Sequence, residues 1–151
     1  MSGVLDLSGA DLSGFDAMPS GQYDATVFEV TSAEVENDSG KLPVGTTGIS
    51  VRFKIDGGEH DGKSVWNRYW FAPASYEKKA QLDGILARFL IAIGYDEKEV
   101  TSGNFSIEPA DMEGRKCNVS VKRYTYDGLD RNRVTGVRPI GSVTTEGAGL
   151  L

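Results

Sequence analysis

Four aromatic residues and one arginine are grouped in the segment SVWNRYWF, residues 64–71, which holds both tryptophans of the chain. In a strand, successive side chains point to opposite faces. One face then carries Trp66, Arg68 and Trp70, and the other carries Val65, Asn67, Tyr69 and Phe71. Tryptophan rings are stacking platforms for nucleobases, and an arginine between them can pair with phosphate. The alternative is a core position for both tryptophans, but the arginine between them would then be buried without a partner.

A second group of rings and cations lies in the segment VKRYTYDGLDRNRV, residues 121–134. Its members are Lys122, Arg123, Tyr124, Tyr126, Arg131 and Arg133. The Asp-Gly pair predicts a hairpin turn, so that rings and cations interleave on two neighbouring strands. Such a mixture favours single-stranded nucleic acid, because rings stack on bases while cations follow the phosphates. An ordinary solvated hairpin is the alternative.

The segment ISVRFKID, residues 49–56, has the clearest alternation of apolar and polar residues in the chain. It predicts a half-buried strand with Arg52 and Lys54 on its polar face. We expect these two cations to extend the same binding groove; the alternative is that they are ordinary exposed charges.

Charge is distributed unevenly along the chain. The net charge is −6, but residues 1–40 hold eight acids and no Lys or Arg, whereas residues 115–138 hold seven bases and two acids. A local basic face can bind a polyanion even when the whole molecule is acidic.

The sequence lacks residues that several classes of protein require. Cys117 is the one cysteine and His60 the one histidine, which excludes an intrachain disulfide, a Cys/His zinc site and a His-based hydrolase. No carboxylates are spaced as a catalytic dyad, so a nuclease is the weakest hypothesis. We expect no enzyme activity, no metal, no cofactor and no membrane span. The N-terminus does not resemble a signal peptide, and we expect a cytoplasmic protein.

The predicted elements follow the order of three strands, one helix and two strands. The strands are expected near residues 20–35, 49–56, 64–71, 115–126 and 131–140. The first is predicted to be long and bent, with Val27 facing one way and Phe28 and Val30 the other. The helix is predicted from an N-cap at Ser75 to a stop at Gly94, with an apolar stripe formed by Leu82, Ile85, Leu86, Phe89, Leu90 and Ile93. A turn is predicted at residues 127–130, and an irregular connection from 95 to 114.

This order predicts an OB-fold: an all-β domain with one helix, in which five strands form a partly open barrel and the helix lies between strands 3 and 4. We expect a flexible acidic N-terminal arm at residues 1–18, the OB-fold domain at 19–140, and a flexible tail at 141–151.

Two further motifs, PSGQYDATVFEV and GRKCNVSVKRYTYDGLDRNRVTGVRP, contribute to a resemblance to a known family. With the segments above, they resemble the small phage-encoded single-stranded-DNA-binding proteins of OB-fold type over residues 19–140. The resemblance implies sequence-tolerant binding that protects single-stranded DNA during phage DNA replication or recombination, in the host cytoplasm. Phage recombination or replication proteins and a second copy of the chain are further candidate partners. Many such proteins end in an acidic tip, but Glu146 is the one acid in residues 141–151, which places tail-mediated recruitment in doubt.

The main alternative is a small β-barrel that binds another protein and no nucleic acid. Trp, Tyr and Arg are also the residues that dominate protein interfaces.

Overall fold

The computed structural model describes residues 4–9, 17–36 and 42–141 of the chain. Its five strands are β1 (Gly21–Glu34), β2 (Thr47–Ile55), β3 (Ser64–Trp70), β4 (Lys116–Tyr126) and β5 (Leu129–Pro139). A helix, α1 (Lys79–Ala92), lies between β3 and β4 and is followed by two short helices, α2 (Glu97–Val100) and α3 (Pro109–Met112). The strands form one antiparallel sheet in the order β3-β2-β1-β4-β5.

The long first strand belongs to both halves of the sheet. Its residues 21–26 pair with β4, and its residues 25–34 pair with β2. The register shifts at Phe28, because Val27 lies opposite Phe53 and Glu29 lies opposite Arg52. This β-bulge bends the strand, as predicted.

The bulge also corrects the predicted faces of β1. Phe28 is the extra residue, and it points outward together with Glu29. Val30 therefore returns to the interior beside Val27, where both are buried. The expectation that Val30 shares the face of Phe28 was wrong, because strict alternation does not hold across an inserted residue.

The sheet curls without closing. β3 and β5 are its two edges and are not hydrogen bonded to each other. The predicted fold is confirmed: a five-stranded, partly open barrel of OB type, with the main helix between strands 3 and 4. No helix in the described ranges has the length and apolar character needed to span a membrane.

The aromatic contacts between helix α1 and the barrel come from Phe89, beside the buried Leu90 and Ile93. The Phe89 ring is stacked on Tyr69, with centroids 4.4 Å apart, and meets Phe53 edge-on at 5.9 Å. Burial of the Tyr69 hydroxyl raises its pKa above the ordinary value. These contacts join the helix to β2 and β3.

The two ends of α1 differ in how well the sequence predicted them. Gly94 follows the helix with φ of 108°, the left-handed conformation of a C′ glycine, which confirms the predicted stop. The predicted Ser75 cap was wrong: the helix begins at Lys79, and Lys78 occupies the N-cap without a side-chain bond. Turns fill the interval instead: the backbone N–H of Tyr76 donates to the carbonyl of Pro73, and that of Lys79 donates to the carbonyl of Tyr76.

The connection from α1 to β4 is held by a polar cluster. The Tyr95 hydroxyl and the Arg115 guanidinium both donate to the Asp111 carboxylate, at 2.5 and 3.1 Å. Arg115 also lies 4.0 Å from the centre of the Tyr95 ring and donates to the carbonyl of Ile93. These bonds tie α3 and the start of β4 to the end of α1.

We predict that Asp111→Asn weakens the fold mainly near neutral pH. Bonds from Tyr95 and then Arg115 hold the pKa of Asp111 below its ordinary value of 3.8. The ionised carboxylate therefore adds stability above that value, and the contribution is lost as pH falls through the lowered pKa. Urea unfolding from pH 7 to pH 3 should show a smaller acid loss in Asp111→Asn than in wild type. Asp83→Asn, which removes an exposed pair with Lys79, is the control; parallel pH profiles for Asp111→Asn and wild type would contradict the prediction.

We also predict that Cys117 reacts with thiol reagents only after unfolding. The side chain is fully buried in β4. Burial, with smaller contributions from the charges of Asp56 and Asp24, raises its pKa to about 12. At pH 8 roughly one thiol in 10⁴ is then ionised, and the thiolate is the reactive form. Labelling in native buffer at the rate seen in denaturant would contradict this.

Candidate nucleic-acid interface

The faces of β3 match the prediction over most of the strand. Trp66 is 56% exposed, whereas Val65 and Tyr69 are each 3% exposed. Arg68 is exposed and Trp70 is half-buried. The predicted inward position of Phe71 was wrong, because β3 ends at Trp70 and the alternation ends with it. Phe71 is 37% exposed and lines an apolar groove beside α1.

A glycine on β2 sets the position of Trp70. Gly48 lies directly opposite Trp70 in the β2–β3 register. A Cβ atom on Gly48 would lie 2.2 Å from the Tyr69 carbonyl oxygen and 2.8 Å from Cε3 of the Trp70 indole. The indole of Trp70 therefore packs against the backbone of β2 and is half-buried. Trp66 is the more accessible of the two rings.

Cations surround the exposed rings of β1 and β3. The Arg52 guanidinium carbon lies 4.9 Å from the centre of the Phe28 ring and 5.5 Å from that of Trp66, and Lys54 Nζ lies 4.0 Å from Phe28. The Nε of Arg52 donates to the Ser64 hydroxyl at 2.9 Å, which orients the guanidinium. This cluster, which we call the β1–β3 patch, offers two partly exposed rings with positive charge beside each.

Phe28 is a site candidate that the sequence reasoning missed. Its ring is 46% exposed at the bulge of β1. The signal was present, because Glu29 breaks the apolar alternation immediately after Phe28. A break of this kind is typical of a bulge, which can turn an apolar side chain outward.

The β4–β5 hairpin presents a second group of rings and cations. Tyr124 lies opposite Arg131 and Lys122 lies opposite Arg133, and directly opposed residues share a face of the sheet. Arg133 lies over the Tyr124 ring at 5.5 Å, and Arg131 lies over the Tyr126 ring at 5.6 Å. These five side chains form what we call the hairpin patch.

The hairpin turn is tighter than predicted. Asp127 and Gly128 both have positive φ, 55° and 77°, and β5 begins at Leu129. A two-residue turn with positive φ at both positions matches the twist of the strands that it joins.

Arg123 lies apart from the hairpin patch. It sits on the opposite face of β4 and forms a 2.6 Å ion pair with Asp130. Bonds from Thr125 and then Arg123 lower the pKa of Asp130. The charge of Arg123 is thus balanced within the protein, unlike that of its neighbours on the hairpin.

Residues of the N-terminal segment form hydrogen bonds to the β4–β5 hairpin. Met18 is buried, its backbone N–H donates to Asn132 Oδ1 at 2.8 Å, and the Asn132 amide donates to its carbonyl at 2.9 Å. The Ser20 hydroxyl accepts from the backbone N–H of Arg123. Residues 1–3 and 10–16 of the predicted arm, and 142–151 of the predicted tail, lie outside the described residues.

The two patches flank the gap between β3 and β5, which we call the seam. Its lower groove, about 500 Å³, is lined by residues 63–66 and 129–132 and includes Trp66 and Arg131. Its upper groove, about 530 Å³, is lined by residues 67–70, 134–138 and α1, and includes Arg68 and Trp70. The fold therefore brings predicted residues from distant parts of the sequence to the same grooves.

In the described part of the chain, the cations at these grooves form no ion pair with a carboxylate. Ion pairs within residues 4–9, 17–36 and 42–141 involve Lys79, Arg115, Lys116 and Arg123. None of them involves the cations of the two patches or the seam, which are Arg52, Lys54, Lys63, Arg68, Arg88, Lys122, Arg131, Arg133 and Arg138. In the same part of the chain, no three His, Cys, Asp or Glu side chains are grouped so as to hold a metal ion.

We predict that Gly48→Ala displaces Trp70 and destabilises the fold. The added methyl would overlap backbone and indole atoms of β3, and overpacking of this kind typically costs about 1–3 kcal/mol. Urea unfolding measures the loss, and a shift in tryptophan emission reports the displaced indole. Gly84→Ala on α1 is the matched control: its methyl would meet no atom within 4 Å, so it should be neutral or stabilising. Equal stability of the two variants would contradict the prediction.

Comparisons with known proteins do not identify the chain: no family model matches it, and the search of curated proteins returns no match.

Proposed function

We propose that this protein binds single-stranded DNA with little sequence preference. The observation that carries the proposal is the environment of Trp66. Its indole is more than half exposed, lies beside the guanidinium of Arg52, and lines one groove with Arg131. A large exposed ring among unpaired cations is what stacking on a base and contact with its phosphates require.

Each class of side chain has a separate part in the proposed mechanism. Trp66, Trp70, Tyr124 and Tyr126 supply rings for base stacking, and Phe28 adds a further ring. The cations Arg52, Lys54, Arg68, Lys122, Arg131 and Arg133 contact phosphates. Arg123 is the weakest member of the predicted set, because binding a phosphate would require it to leave Asp130.

Low sequence preference follows from the chemistry of these groups. Every base has a π-face, so stacking accepts all four bases, and phosphates carry no sequence information. Neither patch resembles an element that reads base edges in a duplex groove, such as a recognition helix.

The biological setting of the proposal comes from the resemblance of the sequence. We propose that the protein protects single-stranded intermediates of phage DNA replication or recombination in the host cytoplasm, without enzyme activity. Recombination or replication proteins and a second copy of the chain remain candidate partners.

We predict tight, salt-dependent binding of oligo-dT, accompanied by quenching of tryptophan fluorescence. The logarithm of the affinity should fall with that of salt concentration, with a slope near −0.7 for each phosphate neutralised. Trp66→Ala should weaken binding by about 1–3 kcal/mol, roughly 5- to 150-fold, because it removes one stacking platform. Arg131→Ala should weaken binding and reduce the salt slope.

Lys98→Ala removes an exposed cation on α2, outside both grooves, and should leave binding unchanged. If wild type neither binds nor is quenched at low salt, the proposal is wrong. The exposed rings and arginines would then favour the alternative of a protein-binding module.

A further inference from the structure

We propose that the DNA strand runs lengthwise along the seam, and that Arg68, Arg88 and Arg138 form a phosphate-binding site in its upper groove. This inference rests on the proposed function and extends it. It assigns a role to two arginines, Arg88 of α1 and Arg138 of β5, that belong to neither patch.

The path follows from how the two edges run. Residues 63–66 meet residues 129–132 in the lower groove, and residues 67–70 meet residues 134–138 in the upper groove. β3 and β5 therefore run in the same direction along the seam, and the two grooves are consecutive. Trp66 and Trp70 lie on the same face of β3, roughly 13 Å apart at 3.3 Å per residue. A single strand on this path meets one ring in each groove.

Three separate elements supply the cations of the upper groove. Arg68 comes from β3, Arg88 from α1 and Arg138 from β5, and all three are exposed and line the same groove. Within the described ranges, none of them forms an ion pair. Three like charges around one opening repel each other, so an anion there relieves a cost of the folded state. The forked guanidinium group suits phosphate oxygens.

The floor of the upper groove suits the other half of a nucleotide. Leu82, Ile85 and Phe89 of α1 line it together with the half-buried Trp70. Ile85 is 49% exposed, although the apolar stripe of the helix predicted it to be core. An apolar floor under a cationic rim can receive a base below and its phosphate above. Contact between Ile85 and a bound base would explain why this apolar side chain is exposed in the free protein.

Carboxylates on β1 and just after β2 make the opposite route unfavourable. A strand that left the β1–β3 patch across the outer face of β1 would pass Asp24, which accepts from Asn118, and Asp56, which accepts from Thr26 and pairs with Lys116. Over the residues that the structure describes, the grooves between β3 and β5 are lined by cations without ion pairs, and the carboxylate that lines them, Asp130, is paired with Arg123. The charge distribution therefore favours the seam for a polyanion.

The test is the double variant Arg88→Ala/Arg138→Ala, titrated with an oligo-dT of about 16 nucleotides, the upper site size of one OB-fold. A slope of 0.7 per phosphate corresponds to a factor of about 5 in affinity for each tenfold dilution of salt. Loss of two contacts should reduce the gain in affinity between 1 M and 0.1 M salt by about 25-fold. The conservative variant Arg88→Lys/Arg138→Lys keeps both charges and should retain most of the salt slope.

Lys78→Ala/Lys98→Ala is the matched control. It removes the same net charge from exposed positions outside both grooves and should leave the slope unchanged. Urea unfolding of both double variants checks that neither fold is weakened.

The outcomes separate this inference from the proposed function. If the arginine double variant behaves like the lysine control while Trp66→Ala still weakens binding, the seam site is wrong and the proposed function stands. If wild type does not bind the oligonucleotide at all, both fall. Tighter binding of a duplex of the same length would also overturn the seam path, because the path is built for one strand.

Discussion

The rest of the structure depends on the bulge at Phe28. β1 pairs with β4 along its first part and with β2 along its second, and the residue inserted at Phe28 bends the strand that joins the two halves of the sheet. A second bulge at Thr135 shifts the register of β5 against β4. Bends of this kind bring the edges β3 and β5 to face each other. The same insertion turns Phe28 outward beside Arg52 and Lys54, so that curvature and surface chemistry have one cause.

β3 and β5 are not paired with each other, and other contacts hold these two edge strands in place. Phe89 stacks on Tyr69 and meets Phe53, which holds β3 against the helix and the neighbouring strand. On the other side, the paired bonds between Met18 and Asn132 brace the hairpin. Exposed edges usually invite pairing with another chain, and charged side chains beside them oppose it. The arginines along the seam supply that charge, which agrees with the proposed use of the seam for a polyanion.

Local pattern predicted much of this architecture, and its failures have physical reasons. The alternation in β2 and β3 predicted the burial of Phe53 and Tyr69, and Asp127-Gly128 predicted the hairpin, because each depends on neighbouring residues alone. Val30 was misplaced because a bulge is set by pairing with another strand. Arg88 could not be assigned to the proposed phosphate site from sequence, because it lines the same groove as Arg68 only when α1 packs beside the seam. Contacts of that kind are tertiary, and no periodicity encodes them.

An acidic chain can present a basic surface when some of its cations are paired with carboxylates and others lie over aromatic rings. Lys116 and Arg123 lie against carboxylates, and so contribute little to the outside field. Arg52 and Arg131 instead lie over aromatic rings, which orient a guanidinium without neutralising it. A ring keeps the cation available for an anion and offers a face to a base at the same time. The net charge of −6 therefore sets the electrostatic field at long range, whereas within about one Debye length of the seam, some 8–10 Å, the field is set by the nearby cations.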